Sequence, residues 1–318
     1  MCALLQKILL SLTGSLDMMR FLTWSFLSAK LKKHVPLAFF SQHFGLLVVG
    51  VLVSFSSVAG QNAEFSDCET CPVMVTLPKG AFYMRVAPWG PGHPHDEGYF
   101  YPVTFAYTFA IGKYEITVSD WRQCEVENGC PQLEINNSSV PQLPISNVTW
   151  SEASRFAKWL SNKTGYRYRL PSNSEWEYAA RAGLGMNRFF GISVEDLCDI
   201  ANTYDQTSDQ KYKSGAEFVP CSDGFYELAP VGQFEANKFG AYDMIGNVSE
   251  WTDDCASPDW RGAPQDGRSW VAGDCSLRGF RGGSWLNNEP YYLFESDRFR
   301  FIGARADDLG FRLVREMQ

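Results

Sequence analysis

Histidine and basic residues are scarce in this 318-residue sequence, which has four His and 28 Lys plus Arg against 36 Asp plus Glu. A formal charge of −8 argues against nucleic-acid binding, because phosphates need a net basic face. Glycine-rich phosphate loops are lacking too, and no Ser, His and Asp stand at a spacing that suggests a nucleophilic triad. The stretch Cys68-Glu69-Thr70-Cys71 matches a redox motif or a zinc half-site, yet no second CxxC follows it, and no cysteine occurs after Cys275. With no internal repeat and no low-complexity linker, one folded domain is the economical reading.

Turn formers and rings are plentiful. The 27 Gly, 16 Pro, 10 Trp and 14 Tyr imply short elements packed around aromatic clusters, in a chain long enough to bury a sizeable core. The first 60 residues differ in kind. A basic patch at Lys30 to Lys33, an apolar run from Leu46 to Val53 and small residues at Val58, Ala59 and Gly60 follow the order of a secretory signal. An uncleaved membrane anchor is the alternative. No Cys directly follows the apolar run, so lipid attachment is not expected. The segment ahead of Lys30 exceeds what a signal needs, which places the expected start at Met18 or Met19. Residues 1–60 therefore read as extension and signal peptide, 61–71 as a short leader and 72–318 as the domain. Periplasmic or secreted localisation is expected, with no transmembrane anchor once the signal is cleaved. Without the leader the count becomes 23 basic against 35 acidic residues, or −12, which suits hard cations or basic partners and repels an anionic membrane.

Cysteine usage agrees with export. The eight that remain fall in successive close pairs, read as Cys68–Cys71, Cys124–Cys130, Cys198–Cys221 and Cys255–Cys275, although spacing alone leaves the connectivity open.

Along the domain, "VMVTLPKGAFYM" alternates apolar and polar positions and breaks at Pro78 to Gly80, as a hairpin would. "PVTFAYTFAIGKYEIT" adds one or two strands. "TVSDWRQCEVENG" and "TWSEASRFAKWLSNKTG" read as helices, the second capped by Ser151, ended by Gly165, and burying Ala153, Phe156, Ala157 and Leu160 on one face. In "RYRLPSNSEWEYAARAG", Ser172 caps a further helix, Glu175 is placed for a capping box, and Trp176, Ala179 and Ala180 face inward. No long helix is expected after Gly183.

Four motifs then occur in order: "YRYRLPSNSEWEYAARAG", "FGAYDMIGNVSEWTDDC", "RGGSW" and "LGFRLVR". Together they resemble the formylglycine-generating enzyme, or sulfatase-modifying factor, family over roughly residues 72 to 318. The resemblance implies an α+β fold: a single loop-rich, C-type-lectin-like domain, low in regular structure and stabilised by disulfides and structural Ca²⁺. On chemistry, Asp243, Glu250 and inward-turned carbonyls near Gly246 and Asn247 supply the oxygens that Ca²⁺ prefers. The family's calcium positions match the side chains of Asp243 and Glu250 with the carbonyls of Gly246 and Val248. A second family site matches the side chains of Asn202 and Asp223 with the carbonyls of Thr203 and Phe225.

Formylglycine generators bind copper(I) through a cysteine pair that follows "GGS". Alignment on Gly282, Gly283 and Ser284 puts Asn287 and Tyr292 at those positions. Soft copper(I) wants thiolates, so no copper is expected and the catalytic site reads as degenerate. His93, His95, Asp96 and Glu97 form the imidazole-bearing stretch of the domain; exposure of this Gly/Pro-rich loop is the simpler reading, iron or zinc binding the sharper one. Tyr291, Tyr292, Phe294, Phe299 and Phe301 with Arg298, Arg300 and Arg305 either fill the core and brace loops or, by composition, form a recognition surface, of which Tyr291, Tyr292, Arg298 and Arg300 are the partner-facing candidates. The expected function is an exported, catalytically inactive binding or regulatory module for an envelope protein or peptide. The resemblance extends to relatives that activate a threonine-kinase pathway controlling type VI secretion. An oxidase or maturation enzyme of different chemistry, acting on a secreted peptide or siderophore, is the alternative.

Overall fold

The computed structural model describes residues 63–86, 99–134, 139–184, 193–257, 262–288 and 298–317. In chain order these form β1 (Glu64–Phe65), β2 (Met74–Leu77), β3 (Gly80–Val86), β4 (Tyr99–Phe105), β5 (Phe109–Gly112), α1 (Val118–Val126), α2 (Trp150–Thr164), β6 (Tyr168–Arg169) and α3 (Asn173–Arg181). A single 3₁₀ turn at Leu197–Asp199 follows, then α4 (Gln206–Tyr212), β7 (Ser249–Ala256), β8 (Asp274–Arg281), β9 (Arg298–Phe301), β10 (Leu309–Gly310) and β11 (Val314–Glu316). The expected α+β, loop-rich architecture is what folds. A five-stranded sheet runs in the order β1-β2-β5-β11-β6, a four-stranded sheet in the order β10-β7-β8-β9, and β3 and β4 pair alone.

One strand pairing differs from the sequence reading. The chain does break at Pro78 to Gly80, but β2 and β3 form no hairpin. Antiparallel β2 lies between β1 and β5, while β3 pairs with β4 from Gly80↔Phe105 onward. Met74, Val75 and Leu77 are buried, so β2 takes a central place in the larger sheet instead of an exposed ribbon.

The helices follow local chemistry. Each of α1, α2 and α3 begins with a reciprocal capping box, formed by Thr117 with Asp120, Thr149 with Glu152, and Ser172 with Glu175. The cap of α2 is thus Thr149, not Ser151. Only from Thr149 can the hydroxyl reach Glu152 N–H while the Glu152 carboxylate returns to the cap. Gly165 ends α2 at φ 77°, and Ala153, Phe156, Ala157 and Leu160 form its buried face. Helix α3 is buried on all sides, its charges satisfied by Arg169 against Glu175 and by Arg181 and Arg281 against Glu177.

Two aromatic cores result. Trp121, Phe156 and Phe311 stack between α1, α2 and the segment before β11. Phe105, Phe109 and Tyr178 pack α3 against β4 and β5. All four expected disulfides are present, Cys68–Cys71, Cys124–Cys130, Cys198–Cys221 and Cys255–Cys275, so no described cysteine carries a free thiol. Among the described residues, no helix is long and apolar enough to cross a membrane.

Candidate functional site

Between α4 and β7 the chain makes a series of turns that no regular element could supply. Asp243, Gly246 and Asn247 all adopt left-handed backbone, at φ 53°, 76° and 57°. Gly246 is needed there because a Cβ would lie 2.0 Å from the Asn202 carbonyl oxygen. The turn thus presses Asp243 to Glu250 against the segment that carries Asn202, and a parallel bridge joins Asn202 to Gly246.

This turn gathers an excess of buried negative charge. Glu115, Asp243 and Glu250 are 2%, 3% and 0% exposed, and one guanidinium, that of fully buried Arg312, faces all three. Arg312 grips Glu250 side-on, through Nε to Oε2 and Nη2 to Oε1 at 2.7 Å each, and Trp176 Nε1–H donates to the same Oε2. Its Nη2 also donates to the Asp243 carbonyl. Asp243 Oδ2 accepts the Gly232 N–H at 2.7 Å, whereas Oδ1 is buried without a partner. Burial pushes the Asp243 carboxyl up to about 6, and burial together with the charges of Asp243 and Glu250 drives Glu115 well above the usual carboxylate range. A single Arg leaves this group short of positive charge.

The second set is brought together as well. Thr203 N–H donates to Asp223 Oδ2 at 3.0 Å, Phe225 N–H donates to Asp223 Oδ1 at 2.8 Å, and the Cys198–Cys221 bridge ties the two segments. Burial pushes the Asp223 carboxyl up to about 6. Asn202 Oδ1 and Thr203 Oγ1 are buried and unpartnered. Asn202 and Asp243 therefore each present an orphaned oxygen from the very side chain that the motifs assign to a cation. Hard oxygen donors, carbonyls and an uncompensated buried charge fit Ca²⁺. Among the described residues, no three His, Cys, Asp or Glu side chains group as a metal centre, so backbone carbonyls, and in the second set the Asn202 amide, would complete the ligands beside the carboxylates. Asp243, Met244 and Ile245 also line a cavity of about 190 Å³ whose other walls include Ala180, Leu184 and Ile200.

Glu115 and Arg312 escaped the sequence reading, which named Asn247 for its turn but not for its side-chain contacts. Glu115 lies in "KYEIT" and Arg312 in "LGFR", each flanked by apolar residues of a buried strand or its edge; a lone charge in such a setting was the available signal.

At the C-terminal end, Gly282 and Gly283 adopt φ 93° and 67° and lead into a tight turn. Asn287 Oδ1 accepts the Ser284 N–H at 2.9 Å, and the Asn287 carbonyl accepts the Tyr204 N–H at 2.9 Å. The Ser284 hydroxyl donates to Asp308 Oδ2 at 2.9 Å. The side-chain oxygen of Asn287 is thus spent inside its own loop. Tyr291, Tyr292 and Phe294 lie outside the described residues, as do His93, His95, Asp96 and Glu97. The backbone of Arg298 pairs with Phe280 in β9. Arg300 stacks over the Phe280 ring at 4.9 Å and stands 4.0 Å from Asp308, and Phe301 is 60% exposed.

Comparison with known proteins gives this arrangement its relatives. Residues 60–317 match the family described as sulfatase-modifying factor enzyme 1-like domain. The chain is 29% identical over 190 residues to the formylglycine-generating enzyme of Streptomyces coelicolor, covering 55% of this chain and 54% of that one. It is 32% identical over 178 residues to the inactive C-alpha-formylglycine-generating enzyme 2 of Mus musculus, covering 54% and 48%. It thus spans about half the length of these curated relatives. The solved structure of PvdO from Pseudomonas aeruginosa superposes with a TM-score of 0.66 at 33% identity, covering 81% of this chain and 99% of that one.

Proposed function

The chain belongs to the sulfatase-modifying factor enzyme 1-like family, and from that premise we propose that it is a calcium-stabilised, exported member that binds a partner and performs no copper-dependent formylglycine chemistry. The observation that carries this reading is the state of Asn287. At the position matching a family copper ligand stands Asn287, whose side-chain oxygen accepts the Ser284 N–H and whose backbone carbonyl accepts the Tyr204 N–H. Copper(I) requires soft thiolates, and every described cysteine is consumed in a disulfide. Relatives named formylglycine-generating enzyme and relatives named inactive are both similar to this chain; the missing thiolates support its place with the inactive ones.

Calcium would be held by Asp243, Gly246, Val248 and Glu250, and by Asn202, Thr203, Asp223 and Phe225. Bound there, it supplies positive charge to a buried acidic group that Arg312 alone does not balance. Exposed Phe301 and partly exposed Arg300 offer a flat ring and a forked donor to a partner in the cell envelope. In its narrowest form the reading makes that partner a component of a threonine-kinase pathway controlling type VI secretion, an assignment that rests on the resemblance of the motifs alone.

Oxygen uptake decides the central point. The purified chain, supplied with copper(I) and a cysteine-containing sulfatase peptide, should consume no oxygen above background and leave the peptide cysteine intact. Conversion of that cysteine to formylglycine would overturn the reading.

A further inference from the structure

We propose that the buried amide of Asn247 couples the two cation-ligand sets, so that each binds its ion more tightly when the other is filled. The inference rests on the calcium reading above. It goes beyond that reading in making the two ions interdependent.

Asn247 is fully buried, and every hydrogen-bonding group of its side chain is engaged. Nδ2 donates to Glu115 Oε2 at 2.8 Å and to the Ala229 carbonyl at 3.2 Å. Oδ1 accepts Asn202 Nδ2 at 3.1 Å and the Ala229 N–H at 3.0 Å. Its backbone N–H donates to the Asn202 carbonyl at 2.8 Å. One residue therefore touches both sets. On one side it lies between Gly246 and Val248, whose carbonyls belong to the first set. On the other it grips Asn202, whose Oδ1 belongs to the second.

An amide is a rigid plane, so the direction of Asn202 Oδ1 follows from what its NH₂ group is bonded to. That group is pinned by Asn247 Oδ1 and by the Glu227 carbonyl at 2.7 Å. Rotation of the Gly246–Val248 turn to meet an ion must move Asn247, and with it Asn202. Little slack exists to absorb the movement, because the space where a Gly246 Cβ would sit is already filled by the Asn202 backbone. Glu115 locks the other side, with Oε2 on the Asn247 amide and Oε1 accepting the Val248 N–H at 3.1 Å. Asn202 Oδ1, at one end of these contacts, and Asp243 Oδ1, on the segment that leads into the Gly246–Val248 turn, are buried oxygens without a hydrogen-bond partner. The Asn247 carbonyl also accepts the Trp285 N–H at 3.0 Å, so filling the sets draws on the "RGGSW" segment too.

Calcium titration calorimetry on the EDTA-stripped whole chain tests the coupling. Wild-type protein should bind two ions. Asp223→Ala and Asp243→Ala, which remove the donor oxygens altogether, should each bind one, and the product of those two isolated affinities should fall below the wild-type product by about fivefold or more, the lower range of a typical coupling free energy. In the Asn247→Ser background that factor should fall to about one while two ions still bind. If Asn247→Ser does not fold, Glu115→Gln makes the same comparison, since it keeps the volume and weakens the hold on the amide. A factor near one in wild type overturns the coupling and leaves the calcium reading standing. A factor untouched by either background variant overturns the role of Asn247. Wild-type protein that binds no calcium overturns the calcium reading itself.

Discussion

Neutralising Asp243 should stabilise the protein without calcium and destabilise it with calcium. Burial pushes this carboxyl from its ordinary 3.8 up to about 6 in the folded state. The fold therefore retains a proton that the unfolded chain releases at lower pH. The contribution of this group is complete below about pH 4 and is lost as pH rises through about 6. An elevation of that size corresponds to a cost on the order of 3 kcal/mol, and the side chain is too buried, at 3% exposure, for solvent screening to reduce it. Asp243→Asn removes the charge but keeps an oxygen for the Gly232 N–H. In EDTA at pH 7.5 the variant should melt above wild type, by up to about 6–12 °C for a domain of this size. At pH 4 the two should coincide. Millimolar calcium should invert the order, because the variant has lost an anionic donor. Thermal unfolding followed by circular dichroism, at both pH values with and without calcium, reads all four conditions. A variant less stable than wild type in EDTA at pH 7.5, or a gap independent of pH, would show that the buried Asp243 charge does not oppose folding.

Three further outcomes follow from the same contacts. Asn287→Ala should cost about 1 kcal/mol in urea unfolding by freeing the Ser284 N–H, with no change in oxygen uptake; a change in uptake would mark Asn287 as part of a working site. Replacing Cys198 and Cys221 together by Ser should lose about 2–4 kcal/mol and weaken calcium binding at the set containing Asn202 and Asp223, measured by calorimetry; unchanged binding would show that the bridge does not position those ligands. Phe156→Ala, which opens a hole against Trp121 and Phe311, should cost about 3–5 kcal/mol, and a loss under 1 kcal/mol would contradict the packing described.

Sequence by itself determined what depends on neighbours along the chain. The faces of α2 and α3, the stop at Gly165 and the Ser172–Glu175 box were legible because caps and helical periodicity are set within a few residues. The pairing of successive close cysteines, one of many connectivities open to the sequence, is the one the fold adopts. Tertiary structure alone decided which strands pair: the break at Pro78 to Gly80 could be seen, but whether β2 joins β3 or slips between β1 and β5 depends on a sheet assembled from distant segments. It alone also decided that Glu115, Asn247, Asn202 and Arg312 meet. A buried charge has no sequence period, and its partners are fixed only when the folded chain closes off water and forces each polar atom to find another.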